Sequence, residues 1–123
     1  MKSAISILTA LLLLNAFNTT AQFRSTRDLA GVWEGNQLRV EFFDNAKVSV
    51  KFTNEPPQDG TYKAEFFKKP MQLEITGMNK GQHIVIRCII EFIDSNTLRW
   101  EAFDKGDYPE AFTSSALVLK KKR

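Results

Sequence analysis

From residue 38 to residue 119 the apolar side chains recur at every second position, in short runs broken by proline, glycine, asparagine and aspartate. Such alternation marks an extended strand with one face turned to a core, because successive side chains leave a strand on opposite sides. A helix needs a 3.6-residue period, and only residues 25–30 leave room for one turn of it. The chain therefore reads as all-β, with roughly seven or eight short strands. Because they follow one another as hairpins, they predict a small antiparallel up-and-down β-barrel rather than a Greek key.

The alternation also sets registers, since facing residues of a hairpin share a side of the sheet. Leu38, Val40 and Phe42 share one face, and Val48, Val50 and Phe52 share the next. A two-residue turn at Asp44-Asn45 would set Val40 against Ser49, whereas the three-residue loop Asp44-Asn45-Ala46 pairs Phe42 with Val48 and Val40 with Val50. The odd loop is expected. Residues 54–60 hold two prolines and a glycine and read as a connection. Tyr62, Ala64 and Phe66 then point inward, followed by Met71, Leu73 and Ile75 after a turn at Lys68-Lys69-Pro70. Residues 77–82 read as another turn. The longest strand, about 83–93, puts Ile84, Ile86, Cys88, Ile90 and Phe92 inside. Pairing Phe92 with Leu98 sets Ile90 against Trp100 and brings Glu91 opposite Arg99 on the outside, an opposite-charge pair that supports the register. A last strand, about 115–120, closes the sheet.

Ahead of this region the chain opens Met1-Lys2, continues with an apolar run over 4–14, and reaches the small and polar residues Asn18-Thr19-Thr20-Ala21. That order describes a secretory signal cut after Ala21. The run is shorter than the about 20 residues that span a bilayer as a helix. The expected division is a signal peptide over 1–21 and one domain over 22–123, with no membrane span in the mature chain. The product is expected to be exported and soluble, in the periplasm or outside the cell.

About a hundred residues can bury a core without covalent staples. Cys88 is the only cysteine, so no internal disulfide forms. The full chain carries a formal charge of +3, and its last four residues, Lys120-Lys121-Lys122-Arg123, are all basic. The basic balance thus reads as a property of a solvated tail that could touch acidic lipid or polyanion, not of a binding face. No interleaving of basic and aromatic residues points to nucleic acid.

In order along the chain, several landmarks resemble a known family. Gly31-Val32-Trp33 is similar to the Gly-x-Trp that opens lipocalins and related calycins, where the tryptophan plugs the closed end of the barrel. The whole mature chain resembles short bacterial lipocalin-like domains of uncharacterised function. Those carry a proline before an alternating strand, here Pro70-Met71-Gln72-Leu73-Glu74-Ile75, then a strand, a polar turn and a Leu-x-Trp/Ile strand, here Ile90 to Trp100. They end with Arg-Pro-x-x-Phe, which here reads Tyr108-Pro109-Glu110-Ala111-Phe112, with tyrosine in place of the arginine. The resemblance implies a lipocalin-like barrel with Gly31 and Trp33 as structural residues of its base. It implies little about function, because fold does not determine it.

The chain is poor in residues that carry chemistry. His83 is the only histidine and has the outward parity of Arg87 and Glu91, whereas Cys88 has the inward one, so the two do not form a zinc site. Cys88 shares its face with large apolar residues, which makes it a buried thiol rather than a nucleophile. Asp104, Asp107 and Glu110 cluster in one loop without the spacing of a calcium loop. No catalytic residue, metal or cofactor is expected, and the chain does not read as an enzyme.

Two functions remain. One is a small apolar ligand held in the barrel interior by Phe42, Tyr62, Ala64, Phe66, Cys88 and Trp100, although so many aromatic rings could instead plug the lumen. The other is a protein-protein interaction or inhibitor module of the cell envelope with a filled barrel. Its contact face would be an outward stripe of Val85, Arg87 and Ile89, beside Phe103 across the hairpin. Burial of that stripe under the N-terminal segment, Phe23 and Leu29 included, or in self-association competes with the contact reading.

Overall fold

The computed structural model describes residues 24–103 and 106–122. The expected signal, its Ala21-Gln22 junction, Phe23, Asp104 of the acidic loop and the terminal Arg123 lie outside the described residues. A single helical turn, α1 (Thr26–Leu29), precedes eight strands: β1 (Gly31–Gly35), β2 (Leu38–Phe42), β3 (Lys47–Phe52), β4 (Gln58–Glu65), β5 (Met71–Asn79), β6 (Gln82–Asp94), β7 (Thr97–Phe103) and β8 (Leu117–Lys122). Each strand pairs antiparallel with the next and β8 pairs with β1, so the sheet closes into an up-and-down β-barrel. Closure leaves no edge strand among the eight.

The registers follow the side-chain faces. Phe42 faces Val48 and Val40 faces Val50 across β2 and β3. Ala46, at a φ of 64°, lets the three-residue loop return the chain. Phe92 faces Leu98, Ile90 faces Trp100 and Glu91 faces Arg99 across β6 and β7. There the Arg99 guanidinium sits 3.0 Å from the Glu91 carboxylate.

Three boundaries differ from the sequence expectation. Residues 77–82 are not a long turn: β5 runs to Asn79, β6 starts at Gln82, and Lys80 and Gly81 alone reverse the chain at φ values of 53° and 81°. Positive φ at both central residues matches the right-handed twist of the flanking strands. Similarly, β4 begins at Gln58, inside the stretch read as a connection. The third difference concerns the basic tail. Lys120, Lys121 and Lys122 belong to β8, where Lys120 faces Glu34, Lys121 faces Trp33 and Lys122 faces Val32. The terminus is not a frayed appendage, because β1 has no other partner on that side and its backbone groups are satisfied by these residues.

The interior is one hydrophobic cluster. Trp33, Val40, Phe42, Val48, Tyr62, Leu73, Cys88, Ile90, Leu98, Trp100 and Leu119 are all buried in it. Phe52 and Ala102 have inward parity yet are exposed, since each lies at or next to a strand end on the rim. Outward positions carry Arg39, Lys51, Lys63, Glu91 and Lys120, all exposed. Apolar inside and charged outside is the reverse of a barrel that crosses a membrane. Among the described residues no helix is long and apolar enough to do so either.

Candidate functional site

The six residues expected to line a lumen do converge. Phe42, Tyr62, Cys88 and Trp100 are buried in the core cluster, with Ala64 and Phe66 packed against it. The Phe42 and Tyr62 rings meet edge to face, with centroids 5.0 Å apart. This geometry occupies the centre of the barrel instead of lining an empty one. Between β3, β4, β5 and β6 a cavity of about 20 Å³ remains, bordered by Val50, Gly60, Ile75, Gly77 and Ile86. It exists because Gly60 and Gly77 face each other there without side chains. A Cβ on Gly60 would lie 2.3 Å from the Thr76 carbonyl oxygen, so nothing larger fits. Space of that size holds about one water, whereas ligand pockets run to about 300–1,000 Å³.

Burial pushes the Cys88 thiol well above its ordinary value, so it stays protonated and unreactive. Burial, with help from Asp44, likewise raises the Tyr62 phenol. His83 is exposed at the β5–β6 hairpin opposite Met78, away from Cys88 in the interior. Among the described residues no three His, Cys, Asp or Glu side chains come together to hold a metal ion.

At its base the barrel is closed by its own chain. Leu29 of α1 is fully buried, and the Trp33 indole N–H donates to the Leu29 carbonyl at 2.8 Å. Phe92 packs edge-on to Trp33 at 6.0 Å, and Arg24 lies over Phe92 at 4.7 Å. From β8, the Lys121 ammonium sits 5.5 Å from the centre of the Trp33 ring. Gly31 makes this possible at a φ of 121°, where a side chain would be strained and its Cβ would press on Lys121 at 3.1 Å.

The outward stripe on β6 is not continuous. Val85 is exposed, Arg87 pairs with Glu74 at 3.8 Å, and Phe103 faces Arg87 and is partly buried. Ile89, however, is 0% exposed. Among the described residues, the 106–116 connection between β7 and β8 runs as a strap over this outer face. Glu101, paired with Ile89 across β6 and β7, is itself buried and accepts hydrogen bonds from the Thr113 backbone N–H at 2.8 Å and from the Thr113 hydroxyl. Phe112 lies under the Arg99 guanidinium at 5.3 Å. Burial, then the neighbouring Glu74, raises the Tyr108 phenol. The expected contact face therefore loses its central residue, because the strap shields it from solvent.

No family model, curated protein or solved structure matches this chain.

One feature of the outside was missed from sequence. Across β7, β8, β1, β2 and β3 the registers align Thr97, Lys120, Glu34, Arg39 and Lys51 in a single row. Glu34 bridges two cations, with Arg39 at 3.7 Å and Lys122 at 3.3 Å. Lys120 donates to the Thr97 hydroxyl at 2.9 Å. Around the row lies an open concavity of about 600 Å³, with Phe52, 45% exposed, at its rim. The signal was present in the alternation, which gives these charges one outward parity. It is hidden because the expected last strand stops at Lys120, whereas β8 continues through Lys122 and pairs with β1.

Proposed function

We propose that this chain is an exported, non-enzymatic lipocalin-like domain that works from its outer surface as a protein-protein interaction module of the cell envelope. The observation that carries this reading is the packed interior: Phe42, Tyr62 and Trp100 are buried in one core cluster, and the cavity bordered by Val50, Ile75 and Ile86 beside them measures about 20 Å³. For an apolar ligand to enter, several of these rings would have to leave close-packed positions, at about 1–3 kcal/mol or more for the overpacking. Export is supported by the 4–14 apolar run and the Ala21-Gln22 junction. The charged exterior favours an aqueous compartment, periplasmic or extracellular.

The reading is tested by thermal unfolding of the mature chain against a panel of fatty acids, sterols and aromatic metabolites. No member should raise the melting temperature at concentrations up to about 1 mM. Saturable stabilisation by one of them, abolished by enlarging Ala64 to phenylalanine, would return the function to the lumen. Fusion of residues 1–21 to a reporter active only after export tests the location; retention of the reporter inside the cell would defeat it.

A further inference from the structure

We propose that the basic row across β8, β1, β2 and β3 docks an extended acidic segment of a partner protein. The inference rests on the interaction-module reading and names the face and chemistry of its partner. Lys120, Arg39 and Lys51 share their row with one acid, Glu34, whereas in the next row Glu41 and Asp59 accompany Lys122. Arg39 and Lys51 stand directly opposite each other on adjacent strands, an arrangement that repels. Glu34 relieves Arg39, yet among the described residues no acid pairs with Lys51. A barrel with no use for this face could relieve the repulsion with one neutral side chain. The row instead keeps two cations in excess of its acid, on a face open to solvent.

Size and pattern select the occupant. Neighbouring strands lie about 4.8 Å apart, so the row from β8 to β3 spans about 14 Å. Residues i and i+4 of an extended chain leave on one side about 13–14 Å apart, so two carboxylates can reach Lys120 and Lys51 with an uncharged residue at i+2 near Glu34. Phe52, next to Lys51 at the rim, supplies an apolar contact for a residue beyond the last acid. A uniformly anionic membrane would set its charge against Glu34 as well as against the cations. The phosphates of a nucleic acid carry unbroken negative charge and would meet Glu34 in the middle of the row. A peptide can place an uncharged group there.

The test uses the mature chain and a fluorescent heptapeptide with glutamate at positions one and five, glutamine at three and leucine at seven. Binding is followed by anisotropy. We expect saturable binding that weakens as salt rises from about 50 to 300 mM. Arg39→Gln with Lys51→Gln should weaken it at least tenfold, while Lys63→Gln, on an outward site of β4, leaves it unchanged. Lys51→Gln alone should also raise the melting temperature by about 1–4 °C at low salt, because its repulsion with Arg39 is gone and it gives up no ion pair. A merely structural role for this cation would lower it. Absence of saturable binding at millimolar peptide, binding indifferent to the double substitution, or tighter binding of oligothymidylate or phosphatidylglycerol vesicles would each overturn the proposal. Those failures leave the filled-barrel reading standing, since that reading falls only if an apolar ligand enters the interior.

Discussion

Trp33 joins two parts of the base: its ring fills the end of the barrel between Phe92 and Lys121, and its indole N–H satisfies the last carbonyl of α1. Replacing it by alanine should lower the unfolding free energy by about 3–5 kcal/mol in urea titrations, from lost burial and the cavity left behind. Trp33→Phe should lose less, about 1–3 kcal/mol, chiefly because the Leu29 carbonyl would be left unsatisfied. Equal stability of Trp33→Ala and the parent would contradict this account. Asp94 illustrates a smaller effect with a definite sign. The Asn96 backbone N–H, donated to Asp94 at 2.8 Å, and the Thr97 hydroxyl hold this exposed carboxyl below its ordinary value. A depressed carboxyl contributes its full stabilisation above the unfolded pKa of about 3.9 and loses it as pH falls through the folded value. The stability gap between the parent and Asp94→Ala should stay constant from about pH 8 to 5 and narrow below about pH 4. A gap that widened on acidification would reverse the sign and the cause.

At the scale of elements, β8 and the strap decide most. A chain ending at Leu119 would remove the Lys120, Lys121 and Lys122 pairings with β1 and the cation over Trp33. Chemical denaturation should then register a loss of about 2–4 kcal/mol. A dispensable tail would lose nothing. For the strap, Glu101→Ala leaves the Thr113 N–H and hydroxyl without their acceptor and opens the cover over Ile89. The expected cost is about 1–3 kcal/mol, with faster amide exchange confined to 106–116 while β5 and β6 keep their protection. Exchange that rose uniformly through the barrel would mean the strap and barrel open as one unit. The hairpins themselves were legible beforehand because each register depends on a turn and its two flanking faces. The β2–β3 loop and the Glu91–Arg99 pair were both readable on that ground. The strap was not, since it has no period and its partners, Ile89, Glu101 and Arg99, lie on strands it does not continue.

Considered whole, the molecule is an inside-apolar, outside-charged barrel whose interior is filled. Phe42→Ala should make this visible: it costs about 3–5 kcal/mol and leaves an apolar void. That variant, unlike the parent, should be stabilised by benzene or another small aromatic compound in a thermal scan. Stabilisation of both proteins alike would show that the parent already has space to give. The sequence alone determined the strand class, the faces and the hairpin registers, because side-chain alternation and turn chemistry act over a few residues. It also brought Phe42, Tyr62, Cys88 and Trp100 to one interior, since their parity leaves them no other side. Only the tertiary structure decided how tightly that interior packs, that the closing strand runs on through Lys121 and Lys122, and that Ile89 is covered. Those outcomes depend on packing volumes and on contacts between segments far apart in the chain, and no local periodicity encodes either.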